Sequence, residues 1–144
     1  MKIKETQNLD SSIYQDAIAI RKSVFITEQG VPVDLELDDK DKLCHHLVLY
    51  DQEKALATAR LLPLSSTSVR LQRMAVVMDF RAQGYGKQLL QACLDLARER
   101  GFKSLEAHAQ LTALPFYQRL GFDSIGLPFD EVGIPHIHVQ IRLD

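Results

Sequence analysis

The stretch Arg81-Ala82-Gln83-Gly84-Tyr85-Gly86-Lys87 has the residue types and spacing best suited to chemistry in this chain. It follows an apolar run, Leu71–Val77, and leads into an amphipathic one, which places it at a strand-to-helix turn. The first turn of a helix offers N–H groups without acceptors and about half a positive charge. Gly84 and Gly86 carry no side chains, so phosphate oxygens can reach those amides, and Arg81 and Lys87 add positive charge at the rim. The same spacing also fits a turn whose glycines serve packing alone. Two other phosphate motifs are excluded. The dinucleotide fingerprint requires a third glycine where Leu89 stands, and a P-loop requires four residues between its glycines and Lys-Ser/Thr after them, whereas Lys87 precedes Gln88.

Other reactive side chains are less organised. His136 and His138 share a strand face, while His45 and His46 point to opposite faces, and no Cys/His spacing supports a metal site. Asp34, Glu36, Asp38 and Asp41 resemble a calcium loop only superficially, since the glycine and glutamate positions are held by Asp39 and His45. That run reads as a solvated acidic loop beside the substrate. Cys44 and Cys93 lack redox spacing and read as small hydrophobes in a reducing, cytoplasmic protein.

The elements that must position these residues follow from periodicity. Lys2–Thr6 alternates as a strand, and Ser11 or Ser12 caps a helix to about Val24, with Ile13, Ala17, Ile20 and Val24 on one face. Leu47–Tyr50, Ala55–Leu62 and Val69–Val77 are strands whose short connections favour an antiparallel meander. From Gly84 to Arg100, Gly86, Leu89, Leu90, Cys93, Leu94 and Ala97 trace one helix face, with Gly101 as the stop. Lys103–Ala109 is a strand, Thr112 caps a short helix that ends at Gly121, and Ile134–Leu143 is a last strand. The order β-α-βββ-α-β-α-β predicts an α/β domain with a mixed, mostly antiparallel sheet flanked by helices.

The 144 residues, 46% hydrophobic and 25% charged, suit one domain over 1–144. With 17 basic and 19 acidic residues the net charge is -2, which predicts no nucleic-acid or membrane partner. No apolar run approaches the ~20 residues of a spanning helix.

Arg81-x-x-Gly84-x-Gly86 resembles the Q/R-x-x-G-x-G/A motif of the GNAT acetyltransferases. Downstream, Gln110-x-x-Ala113-x-x-Phe116-Tyr117-x-x-Leu120-Gly121-Phe122 is similar to that family's N-x-x-A-x-x-L/F-Y-x-x-x-G-F segment, with Gln110 in place of the usual Asn. Val24-Phe25-Ile26-x-Glu28-Gln29-x-Val31-Pro32 and Gly133-Ile134-Pro135-His136 resemble a bacterial subgroup of small members. The resemblance implies an N-acetyltransferase with acetyl-CoA as cosubstrate. The backbone at Met74, Ala75 and Val76 would meet the pantetheine arm. The diphosphate would lie on Gln83, Gly84, Tyr85, Gly86 and Lys87 beside Arg81, with Gln110 near the cofactor. Tyr117 matches the general acid.

The base is open. The glutamate that some relatives carry on the fourth strand is absent from Val69-Arg70-Leu71-Gln72, which leaves Glu28, His46 and His108. A lysine-like amine costs about 4.6 kcal/mol to neutralise at pH 7 and an α-amine about 1.4 kcal/mol, so a weak base suits a less basic amine. The expected acceptor is an amine-bearing small molecule or peptide, bound by the first helix and the Phe25–Leu37 loop, whose Phe25, Glu28, Asp34 and Glu36 suit a cation. Relatives commonly form homodimers, and both a monomer and a dimer stay open. A non-catalytic acyl-CoA-binding module and a domain that binds no nucleotide are the competing readings.

Overall fold

The computed structural model describes residues 1–144. Its strands are β1 Lys2–Thr6, β2 His45–Asp51, β3 Lys54–Pro63, β4 Ser68–Val76, β5 Ser104–Gln110, β6 Asp123–Glu131 and β7 Ile134–Arg142. The α-helices are α1 Ser12–Arg21, α2 Val33–Glu36, α3 Tyr85–Glu99 and α4 Leu114–Arg119. Ser11 caps α1 by accepting from the Tyr14 N–H at 3.2 Å, and α1 runs on into a wider π-helical turn, Lys22–Glu28.

One seven-stranded sheet, ordered β1-β2-β3-β4-β5-β7-β6, is antiparallel throughout except for the β4–β5 pair. That pair is parallel because α3 is the crossover between its strands. The apolar stripe of α3 (Leu89, Leu90, Cys93, Leu94 and Ala97) is buried against one sheet face with Leu47, Leu49, Leu105 and Val139. Ala17, Ile20 and Val24 cover Val48 and Ala75 on the other face. No helix is long and apolar enough to cross a membrane.

The expected element order is present, with the short helix α2 and one strand added: β6, which forms a terminal hairpin with β7. Its sequence hid it for a physical reason. Gly126 and Pro128 interrupt it, its register shifts between Ile125 and Phe129, and most of its side chains are exposed at the sheet edge, so no alternation marks it.

The acidic run corrects a second expectation. Rather than a solvated loop, it is pinned to the sheet, with Glu36 only 2% and Asp41 4% exposed. Arg21 donates to Glu36 at 2.7 Å and to Asp41 at 2.9 Å; Arg60 donates to both Asp38 and Asp41 at 2.8 Å. Arg73 completes the cluster at 2.9 Å from Glu36 and 3.3 Å from Asp38. Burial of a carboxylate is tolerated when it is paired and hydrogen-bonded, and here three carboxylates meet three guanidinium groups. Hydrogen bonds from Arg60 hold the Asp38 carboxyl down at about 2, against an ordinary 3.8. A depressed acid contributes fully above its ordinary value and loses that contribution as pH falls through the folded one. The urea midpoint is therefore expected to drop from about pH 4 toward pH 2, and to drop less steeply in Asp38→Asn.

Candidate active site

The site opens where two strands part. β4 and β5 pair only from Ser68↔Ser104 to Leu71↔Ala107; beyond that β4 has no neighbour on its β5 side. On its other side β4 carries a bulge: Arg60 is opposite Gln72 and Thr58 opposite Ala75, so β4 holds one residue too many. Arg73 absorbs it at φ +55°, a left-handed conformation disfavoured for a side-chain-bearing residue. Its guanidinium offsets that strain by donating to the Leu35 carbonyl at 3.0 Å while pairing with Glu36 and Asp38. The parted strands leave a cleft of about 750 Å³.

At one side of the cleft is the turn into α3. Gly84 sits at φ +85°, and a Cβ built there meets nothing within 4 Å. No side chain caps the helix, and its first bond runs from the Gln88 N–H to the Gly84 carbonyl at 3.1 Å. The amides of Tyr85, Gly86 and Lys87 thus have no acceptor within the helix. Gly86 lines the cleft, where its Cβ position lies 3.7 Å from Met74 and Val76 side-chain atoms. The Tyr85 hydroxyl is turned away to Asp51 at 2.9 Å, the Gln83 amide reaches the Asp79 carbonyl at 3.4 Å, and Lys87 is exposed.

Arg81 is a brace rather than an open rim charge. It grips both Glu28 oxygens at 2.6 and 2.8 Å and donates to the Val76 carbonyl at 2.9 Å, tying the π-helical turn to the end of β4. The Arg81 hydrogen bonds hold the Glu28 carboxyl below its ordinary range. Both oxygens of this base candidate are therefore occupied. His46 lies outside the cleft lining: it is buried, donates from Nε2 to the Asp41 carbonyl at 2.8 Å, and is pushed down by burial.

His108, on β5, lines the cleft together with Tyr117 and Gln110. Its Nδ1 lies 3.0 Å from Glu131 Oε1. Tyr117, on α4, is wedged edge-on between Phe116 and Phe122, with its hydroxyl 3.9 Å from Met74 Sδ. Burial pushes this phenol up to about 12, so it carries its proton at any physiological pH. Gln110 donates its amide to Gln29 at 3.2 Å. Glu131, His136 and Arg73 also line the cleft and were not singled out for it by sequence. Glu131 and His136 arrive on the hairpin whose first strand lacks alternation; Gly133-Ile134-Pro135-His136 was the one signal pointing there.

Residues 19–143 match the family described as acetyltransferase (GNAT) domain. The uncharacterized N-acetyltransferase YjcF of Bacillus subtilis (strain 168) is 31% identical over 127 residues, covering 88% of this chain and 90% of YjcF. The crystal structure of an acyl-CoA N-acyltransferase from Pseudomonas aeruginosa superposes with a TM-score of 0.86 at 27% identity, over 96% of this chain and 97% of that one. A GNAT family acetyltransferase from Elizabethkingia anophelis with acetyl-CoA bound shares the fold with a TM-score of 0.70 at 19% identity, over 99% and 97% of the two chains.

Proposed function

The chain belongs to the GNAT acetyltransferase family, and on that premise we propose that residues 1–144 work as one acetyl-CoA-dependent N-acetyltransferase acting on the amine of a small molecule or peptide. The observation that carries this reading is one cleft bordered by Gly86 of the uncapped α3 turn, by the open edge of β4 and by Tyr117. The Elizabethkingia protein holds acetyl-CoA on the same fold.

When bound, acetyl-CoA supplies an acetyl group activated as a thioester. The backbone amides of the Gln83–Lys87 turn would donate hydrogen bonds to the diphosphate oxygens, with the Lys87 ammonium adding charge. Arg81 holds this turn in place through Glu28 and the Val76 carbonyl. The β4 backbone at Met74, Ala75 and Val76, free of a β5 partner, lines the route of the pantetheine arm, and Gln110 borders it across the cleft.

His108 removes the proton from the attacking amine, because of the three base candidates it alone lines the cleft. Tyr117 donates its phenolic proton to the departing thiolate, so the amine gains the acetyl group and the sulfur leaves as a thiol. An imidazole is a modest base for a lysine-like amine, whose neutralisation at pH 7 costs about 4.6 kcal/mol, and a better match for an α-amine at about 1.4 kcal/mol.

The direct test is an amine panel with acetyl-CoA, followed by free-thiol release; no acceptor-dependent release from any amine would overturn the reading. Tyr117→Phe is expected to lower kcat by about 100-fold while leaving the coenzyme A Kd within twofold. Unchanged turnover removes Tyr117 from the chemistry.

A further inference from the structure

Resting on that reading, we propose that Glu131 is a positioning residue: its carboxylate fixes the ring and tautomer of His108 so that Nε2 is the atom that takes the amine proton. A carboxylate only accepts hydrogen bonds, so the 3.0 Å contact between Glu131 Oε1 and His108 Nδ1 requires the proton on Nδ1. A neutral imidazole protonated there has its lone pair on Nε2. Nε2 bonds to nothing in the protein and is not a buried orphan atom, so it is accessible to solvent on a residue that lines the cleft.

The ring has little freedom to turn. Phe129 meets it edge-on with centroids 5.2 Å apart, and His138, its register partner on β7, meets it at 5.8 Å. His138 is itself tied down, donating from Nε2 to Glu106 at 2.8 Å, and Glu106 is held by Arg70.

On its far side Glu131 faces a second histidine without a hydrogen bond to it. Its Oε2 lies 3.6 Å from His136 Nε2, and His136 Nδ1 donates to the Ile134 carbonyl at 2.7 Å while its ring stacks on Phe129. This row of residues, from Ile134 through His136 and Glu131 to His108, extends from the β6–β7 turn to the cleft, with hydrogen bonds at its two ends only. It exists because β7 pairs with both β5 and β6, which sets Gln110 and Phe129 opposite the same residue, His136. Glu131 contributes orientation and no atom to the reaction: the proton passes from the amine to Nε2, and the Nδ1 proton stays on the ring.

The test has two independent readouts. Long-range ¹H–¹⁵N spectra of the apoprotein are expected to show His108 as the Nδ1–H tautomer in the wild type and as a mixture in Glu131→Gln, whose amide can donate as well as accept. In kinetics, Glu131→Gln is expected to lower kcat by about 10- to 100-fold with the acetyl-CoA KM within twofold, and to add little to the loss already present in His108→Ala. The Glu131 side chain is 43% exposed, so the amide variant should fold, and a melting curve verifies it. A wild-type Nε2–H tautomer, or a Glu131→Gln variant with unchanged kcat, overturns the inference and leaves His108 as the base. A held tautomer with fully active His108→Ala overturns the assignment of His108 itself, and the role of Glu131 with it.

Discussion

Replacing Gly84 by glutamate is expected to weaken coenzyme A binding at least 100-fold, about 2.7 kcal/mol, while the protein stays folded. Two effects act in the same direction. Gly84 occupies φ +85°, where a side chain costs roughly 1–2 kcal/mol, so the turn loses the shape that presents its amides. The glutamate also sets a carboxylate beside N–H groups that would otherwise meet a diphosphate, adding repulsion and a competing acceptor. The space at Gly84 is open, with no atom within 4 Å of the built Cβ, so steric disruption of the core plays no part. Gly84→Ala separates the terms, because it keeps the backbone penalty and omits the charge; its affinity should fall between wild type and Gly84→Glu. Titration calorimetry decides: a Gly84→Glu protein that binds within threefold of wild type removes the α3 turn from the cofactor site.

The largest expected effect on stability belongs to Arg60. Its side chain is 1% exposed and donates to Asp38, Asp41 and Gln72, so Arg60→Ala takes a charged partner from the buried Asp41 and from the half-buried Asp38 and opens a void where a large buried side chain stood. Breaking a buried pair from one side costs about 3–5 kcal/mol, a large share of the 5–15 kcal/mol that ordinarily holds a domain together. For a chain of this size the loss corresponds to a Tm lower by roughly 10–15 °C. The exposed pair of Arg81 with Glu28 is the internal comparison. Its geometry is as good, yet water screens it, and Arg81→Ala should cost under about 1 kcal/mol in stability. A thermal melt in which Arg60→Ala and Arg81→Ala shift Tm equally would show that burial does not set the strength of these pairs.

The buried cluster also shapes the cleft. Arg73 sits at the β4 bulge and pairs with Glu36 and Asp38, so the 33–43 segment and the open edge of β4 are held by the same charges. The acidic run that resembled a solvated loop is thus tied to β4 at its bulge, beside the cleft.

Amphipathic period, glycine spacing and turn chemistry operate over a few residues, and much of what rests on them was readable directly from the chain, although Ala113 and not Thr112 is the residue at the start of α4. The α3 stripe from Leu89 to Ala97, the meander of β2, β3 and β4, the bare turn at Gly84 and the pairing of that turn with a downstream Tyr117 are of this kind. Ionic partners are of the other kind. Whether Asp41 meets water or Arg60, 19 residues away, depends on how the 33–43 segment lies against β3 and β4. Whether Glu131 meets His108, 23 residues away, depends on β7 entering the sheet between β5 and β6. A carboxylate looks the same in sequence in either environment, because burial and charge pairing are properties of strand order and register. That is why the bare glycine turn that we propose for the cofactor was legible in the residues themselves, while the pairing of Glu131 with His108 awaited the folded sheet.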